Sequence, residues 1–175
     1  MLYFSDIKEA CWAVVAMKKL MNEQGNWIVK GAELLDKKSL ASVNETTGEN
    51  LTAVLTETKA HTPEELQQYI RQIEACLQVF NTYTPVHFTD KPEEYSRYWA
   101  IRSGIFPSIG GTRKLGTTCL IEDVAFHIED LPEATAELQQ LIARHGYDDA
   151  CIYGHALEGN YHFIINQSFS TDADV

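Results

Sequence analysis

Two histidines, His155 and His162, close the segment Gly154-His155-Ala156-Leu157-Glu158-Gly159-Asn160-Tyr161-His162 from either side. If Glu158-Gly159 is a two-residue turn between strands, the glycine supplies the positive φ of a type II turn. The register then pairs Leu157 with Asn160, Ala156 with Tyr161, and His155 with His162. Directly opposed residues have Cβ atoms about 4.5–5.5 Å apart, so the two imidazoles could converge on one cation. The period of two brings Leu157 and Asn160 to the same face, which sets an amide beside the pair. Imidazole is the commonest metal ligand, but two ligands make only half of a tetrahedral site. The same spacing also suits an ordinary polar sheet face, and both readings stand at this point. His61, His87, His127 and His145 lack such spacing and read as surface or helix-end residues.

The elements that must position this segment are legible from their ends. Asp6-Ile7-Lys8-Glu9, Thr62-Pro63-Glu64-Glu65 and Asp130-Leu131-Pro132-Glu133 each read as a capping box. In each, an N-cap oxygen is answered by a carboxylate three residues on. Helical stripes follow: Ala10, Cys11, Val14, Val15 and Met21; Leu66, Tyr69, Ile70, Ile73, Leu77 and Phe80; Ala134, Leu138, Leu141 and Ile142. Gly25 and Gly146 are the expected stops. Strand-like runs flank each helix: Leu2–Phe4 and Trp27–Val29, Leu51–Thr58 and Val86–Phe88, Thr118–Phe126 and Ala150–Tyr153, the last returning through Tyr161–Asn166. Three strand–helix–strand units that close on a hairpin predict an α+β fold. It has ferredoxin-like βαβ units, an antiparallel sheet, and helices packed on one face. Asp36–Asn50 reads as a short helix and surface loop, and the Asp-Ala-Asp-Val end as frayed.

Ser103–Gly116 contains four glycines and Pro107. It lacks the G-K-[ST] ending that a phosphate loop needs, and reads as a surface loop, with a substrate-facing loop as the alternative. A formal net charge of -11 argues against nucleic acid, whose phosphates require clustered cations. Cys11, Cys76, Cys119 and Cys151 form no CxxC pair and read as reduced core residues, which points to a cytoplasmic location. No apolar run suggests a transmembrane segment, and Met1 leads straight into a strand rather than a leader peptide. Peripheral association with the inner membrane is compatible with this.

The segment Gly154–His162 resembles the glycine–histidine–alanine … glycine–asparagine–x–histidine signature of the C-terminal domain of FAD-linked oxidases. That family includes D-lactate and D-2-hydroxyglutarate dehydrogenases related to vanillyl-alcohol oxidase. Further stretches agree in order: Glu33-Leu34-Leu35-Asp36 with Ser39-Leu40, Trp99-Ala100-Ile101-Arg102, and Glu122-Asp123-Val124-Ala125-Phe126 with Leu131-Pro132-Glu133. Ile105-Phe106-Pro107-Ser108 is similar to the long members that carry an iron–sulfur segment. The resemblance implies that residues 1–175 form a substrate-binding cap domain, a fragment of a larger flavoenzyme. The FAD-binding domain and a C-terminal segment with a third metal ligand would lie outside it. It implies a divalent metal, zinc or manganese, on His155 and His162, which also serve catalysis. Arg102 would clamp the carboxylate of a small 2-hydroxy acid, Asn160 would lie near that carboxylate or the flavin, and Arg113 would meet a second carboxylate. An iron–sulfur cluster would sit elsewhere in the whole protein, and the electron acceptor is not specified. Some relatives carry a lysine on the central strand where this chain has Ile121.

Without the resemblance, Arg102 would read as a surface ion pair with Glu93 or Glu94. Two other readings compete with the flavoenzyme fragment. One is a stand-alone α+β binding or interaction module without catalysis. The other is a small zinc hydrolase, for which the chain offers no third ligand at helical spacing from the hairpin.

Overall fold

The computed structural model describes residues 1–45 and 50–171. The predicted loop at 46–49 and the frayed end at 172–175 lie outside them. Six strands form one sheet: β1 (Leu2–Phe4), β2 (Val29–Leu35), β3 (Thr52–Thr58), β4 (Thr117–Ala125), β5 (Cys151–Gly154) and β6 (Asn160–Ser168). Their order is β1-β3-β2-β5-β6-β4, and every pairing is antiparallel. The α+β reading holds. Helices α1 (Ile7–Lys18), α3 (Pro63–Leu77) and α5 (Leu131–Arg144) cover one face, around Phe4, Val14, Met17, Ile73, Leu138, Ile152 and Tyr161. Part of the other face is covered too, by α2 (Lys37–Ser42) and α4 (Pro92–Thr112) over Leu35, Leu55, Cys151, Tyr153 and Ile164. Among the described residues no helix is long and apolar enough to cross a membrane.

Two of the three predicted caps form. Asp6 accepts from Lys8 N at 2.7 Å and Thr62 from Glu65 N at 3.2 Å. Asp130 does not cap: the chain enters α5 through a 3-10 turn over Ile128–Asp130, with Asp130 already in the right-handed region. Gly146, at φ 79°, ends α5 as expected, and Tyr147 N reaches back to Ile142 O. Gly25 does not end α1. The helix stops at Lys18, and Gly25 (φ 77°) serves a turn that bridges Met21 to Trp27. Of Trp27–Val29 only Val29 joins β2, and Val86–Phe88 forms no strand. Asp36 caps α2 from a fully buried position, accepting from Ser39 N, Ser39 Oγ and Ile152 N. Burial raises its pKa; the bond from Ile152 N ties the end of β2 to β5, and the two from Ser39 fix the start of α2.

The largest departure from expectation is the glycine-rich stretch, which is helical as far as Thr112. Ile101, Ile105 and Ile109, at helical spacing, bury against the second face. Gly104 faces Val43 at the end of α2, where a Cβ would stand in ordinary contact, 3.4 Å from Val43 Cγ1. Ser108 Oγ donates to the Ser42 carbonyl. Tertiary packing here outweighs the weak intrinsic propensity of Gly and of Pro107.

Gly159 is the tightest point of the β5–β6 connection. Its φ is 70°, and a Cβ would stand 2.3 Å from the Phe126 carbonyl oxygen. Gly159→Ala is therefore expected to lose roughly 1–3 kcal/mol through backbone strain alone, with the clash in addition. A thermal melt should fall by about 2–4 °C per kcal/mol in a chain of this size. An unchanged melting temperature would refute this account of the turn.

Candidate functional site

The second sheet face carries the chemistry. Period two places Glu33, Tyr153, His162 and Asp123 on the side of Leu35, Cys151 and Ile164. The expected hairpin register is corrected here. Ala156–Glu158 forms a 3-10 turn, and the pairing is Tyr153↔His162, Ile152↔Phe163 and Cys151↔Ile164. His155 is thus not directly opposite His162 but diagonal to it, two residues past the Tyr153 pair. Diagonal neighbours remain within reach of long or aromatic side chains. The two imidazole centroids are 5.6 Å apart with rings at 76°, so the side chains meet although the register differs.

Each imidazole leans on a carboxylate. His155 Nδ1 donates to Glu33 Oε1 at 2.5 Å, and His162 Nδ1 donates to Asp123 Oδ1 across the β4–β6 pair. An ionised carboxylate only accepts, so Nδ1 carries a proton in each ring, and the nitrogen left to face a cation is Nε2. Neither Nε2 has a hydrogen-bond partner among the described residues. This is the outer arrangement that orients metal-bound histidines in general. Among the described residues no group of three or more His, Cys, Asp or Glu side chains is placed to hold a metal ion. The donor set therefore fits two positions of a centre.

Glu33 has a second partner. Its Oε2 accepts from Arg102 Nε at 2.6 Å, with side chains only 8% and 17% exposed. Arg102 thus pairs with Glu33 across the sheet rather than with Glu93 or Glu94 on its own helix. Its guanidinium carbon lies 4.7 Å from the centroid of the Tyr153 ring. Burial raises the pKa of the Tyr153 hydroxyl, so the ring beneath the cation is a neutral phenol, suited to a cation–π contact. The Nη atoms of Arg102 have no hydrogen-bond partner among the described residues.

Asn160 donates from Nδ2 to the Val124 carbonyl at 3.2 Å, which ties the start of β6 to β4. Arg113 does not join the group. It lies at the end of α4, about 16 Å along the helix from Arg102, and its guanidinium donates to the Gly110 and Thr117 carbonyls. Ile121 lies on β4, which is the edge of the sheet and not its centre. His61, His87, His127 and His145 are exposed, as expected.

Sequence reasoning assigned no role to Glu33, Asp123 or Tyr153. One signal was available: Glu33 interrupts the apolar run Ala32–Leu35 on a strand buried along most of its length. A buried carboxylate in such a run needs a cationic or hydrogen-bonding partner.

The family described as FAD linked oxidases, C-terminal domain, matches the chain over residues 1–175. No curated protein shows significant similarity to the chain.

Proposed function

Because the chain belongs to the family of C-terminal domains of FAD-linked oxidases, we propose that it is the substrate- and metal-binding half of an oxidoreductase. That enzyme oxidises a D-2-hydroxy acid, D-lactate or D-2-hydroxyglutarate, to the 2-oxo acid, with FAD held mainly by a separate domain. The observation that carries this reading is the pair of adjoining imidazoles, each with Nδ1 committed to a carboxylate.

His155 and His162 would hold zinc or manganese through Nε2. When bound, the cation lowers the pKa of a coordinated hydroxyl, and FAD supplies the hydride acceptor. The chain's own residues orient the substrate. Arg102 offers its Nη edge to the 2-hydroxy acid's carboxylate, its Nε being anchored by Glu33. Tyr153 supports the guanidinium from below, and Asn160 fixes the strand that carries His162. Holding the carboxylate while the hydroxyl faces the imidazoles presents the C2–H bond in one direction, the orientation on which hydride transfer depends.

Metal titration tests this. Zinc or manganese is expected to bind wild-type protein, and the paired substitutions His155→Ala and His162→Ala should weaken binding by more than roughly 10–100-fold. That is the cost of losing a mere outer-shell partner. Equal binding by both proteins would remove the hairpin as the metal site.

A further inference from the structure

One carboxylate joins the two halves of the site. Glu33 Oε1 lies 2.5 Å from His155 Nδ1, and Oε2 lies 2.6 Å from Arg102 Nε. The partners come from different elements, His155 from the β5–β6 connection and Arg102 from α4. Each turns its remaining edge outward, Nε2 on the ring and the Nη atoms on the guanidinium.

The second imidazole is held differently. Its carboxylate, Asp123, has a side chain that is 65% exposed, against 8% for Glu33. Among the described residues no lysine or arginine pairs with Asp123. Water and salt screen a charge in that position. Glu33 sits where polar groups polarise one another strongly.

A negative charge shared by two donors is divided between them. A cation on His155 Nε2 draws that charge toward the ring and leaves Arg102 less neutralised, so the guanidinium receives an anion more strongly. An anion on the Nη edge draws the guanidinium's charge away from Glu33, which then supports the ring and its cation more strongly. Both effects have the same sign, and linkage makes them equal in size.

We propose that Glu33 is a positioning residue that couples the two ligand positions, so that a divalent cation at His155 and a carboxylate at Arg102 each raise the affinity for the other. The inference deepens the hydroxy-acid reading above, on which both ligands rest. Tyr153 also lies between the halves, 4.7 Å from the Arg102 guanidinium carbon and 5.4 Å from the His162 ring centroid. Its neutral ring has no charge to divide.

The test is calorimetric. Zinc is titrated with and without propionate, and propionate with and without zinc, with direct complexation subtracted in a protein-free titration. Propionate carries the carboxylate but no 2-hydroxyl. In wild type each ligand should tighten the other by the same factor, about fivefold or more, within the usual range of coupling between sites. Glu33→Gln keeps the volume but removes the shared charge, and should bring the factor to within about twofold of unity. Asp123→Asn should weaken zinc and keep the wild-type factor. A second readout needs no variant: propionate alone should move the His155 ring nitrogen resonances more than those of His162. A wild-type factor of one, an undiminished factor in Glu33→Gln, an equal loss in both variants, or an unmoved His155 under saturating propionate overturns the coupling and leaves the metal and carboxylate reading in place. Wild-type protein that binds neither zinc nor propionate overturns that reading and the coupling with it.

Discussion

Glu33→Ala is expected to cost about 3–5 kcal/mol of stability, the range for breaking a buried ion pair from one side. Glu33 is one of the few charged side chains in the core, and its two carboxylate oxygens serve different partners, Arg102 Nε and His155 Nδ1. Removing it leaves a guanidinium that is 17% exposed facing a void lined by Tyr153. That partial exposure gives Arg102 some access to water, which favours the lower end of the range. Glu33→Gln keeps the volume and one acceptor but turns an N–H toward one of two donors, so its cost should fall between wild type and alanine. The measurement is chemical or thermal denaturation, with a fall of about 6–20 °C for alanine at 2–4 °C per kcal/mol. A second readout separates positioning from bulk stability: long-range proton–nitrogen NMR on neutral His155 should show Nδ1–H in wild type and a shift toward Nε2–H in Glu33→Ala. A loss below about 1 kcal/mol would put the pair among ordinary surface contacts, and an unchanged tautomer would show that Glu33 does not orient the ring.

Arg102→Ala in the flavin-loaded enzyme is expected to lower kcat/KM by roughly 10–150-fold, the loss that follows from one charged hydrogen bond of about 1.5–3 kcal/mol. Arg102→Lys should lie between alanine and wild type. An ammonium keeps the charge but cannot reach Glu33 with one edge and a substrate carboxylate with another, as a guanidinium fork does. From sequence alone the damage would be expected in turnover far more than in stability. The structure changes that expectation, because the same guanidinium neutralises Glu33, whose side chain is 8% exposed. Both variants should therefore also melt lower than wild type, alanine more than lysine, since only lysine leaves a cation near Glu33. Kinetics must be taken well below the variants' melting temperatures, on D-lactate and D-2-hydroxyglutarate. Activity of Arg102→Ala within about twofold of wild type would show that the side chain serves the fold and not the substrate.

Local chemistry carried much of this protein in the sequence alone. Thr62 before Pro63, Gly146 after Arg144 and His145, and the β-branched and apolar run Leu51–Thr58 mark their elements because a cap, a left-handed stop and a strand's side-chain preference are each expressed within a few residues. Gly159 was likewise readable as a residue needing positive φ, and the nearness of His155 to His162 followed from any short connection between their strands. The motif spacing also pointed to the family. Other features depended on partners far away in the chain. Ser103–Thr112 became helix because three isoleucines found Leu35, Leu55 and Cys151 beneath them, a reward that no window of α4 alone contains. The histidines settled on a diagonal because the 3-10 turn over Ala156–Glu158 absorbs residues that a tight hairpin would have paired. Glu33 meets Arg102 and His155 from 69 and 122 residues away. Only the strand order β2-β5-β6-β4 and the helix laid across it bring those charges together, because a buried charge is stabilised by whichever opposite group the fold delivers, not by its neighbours in sequence.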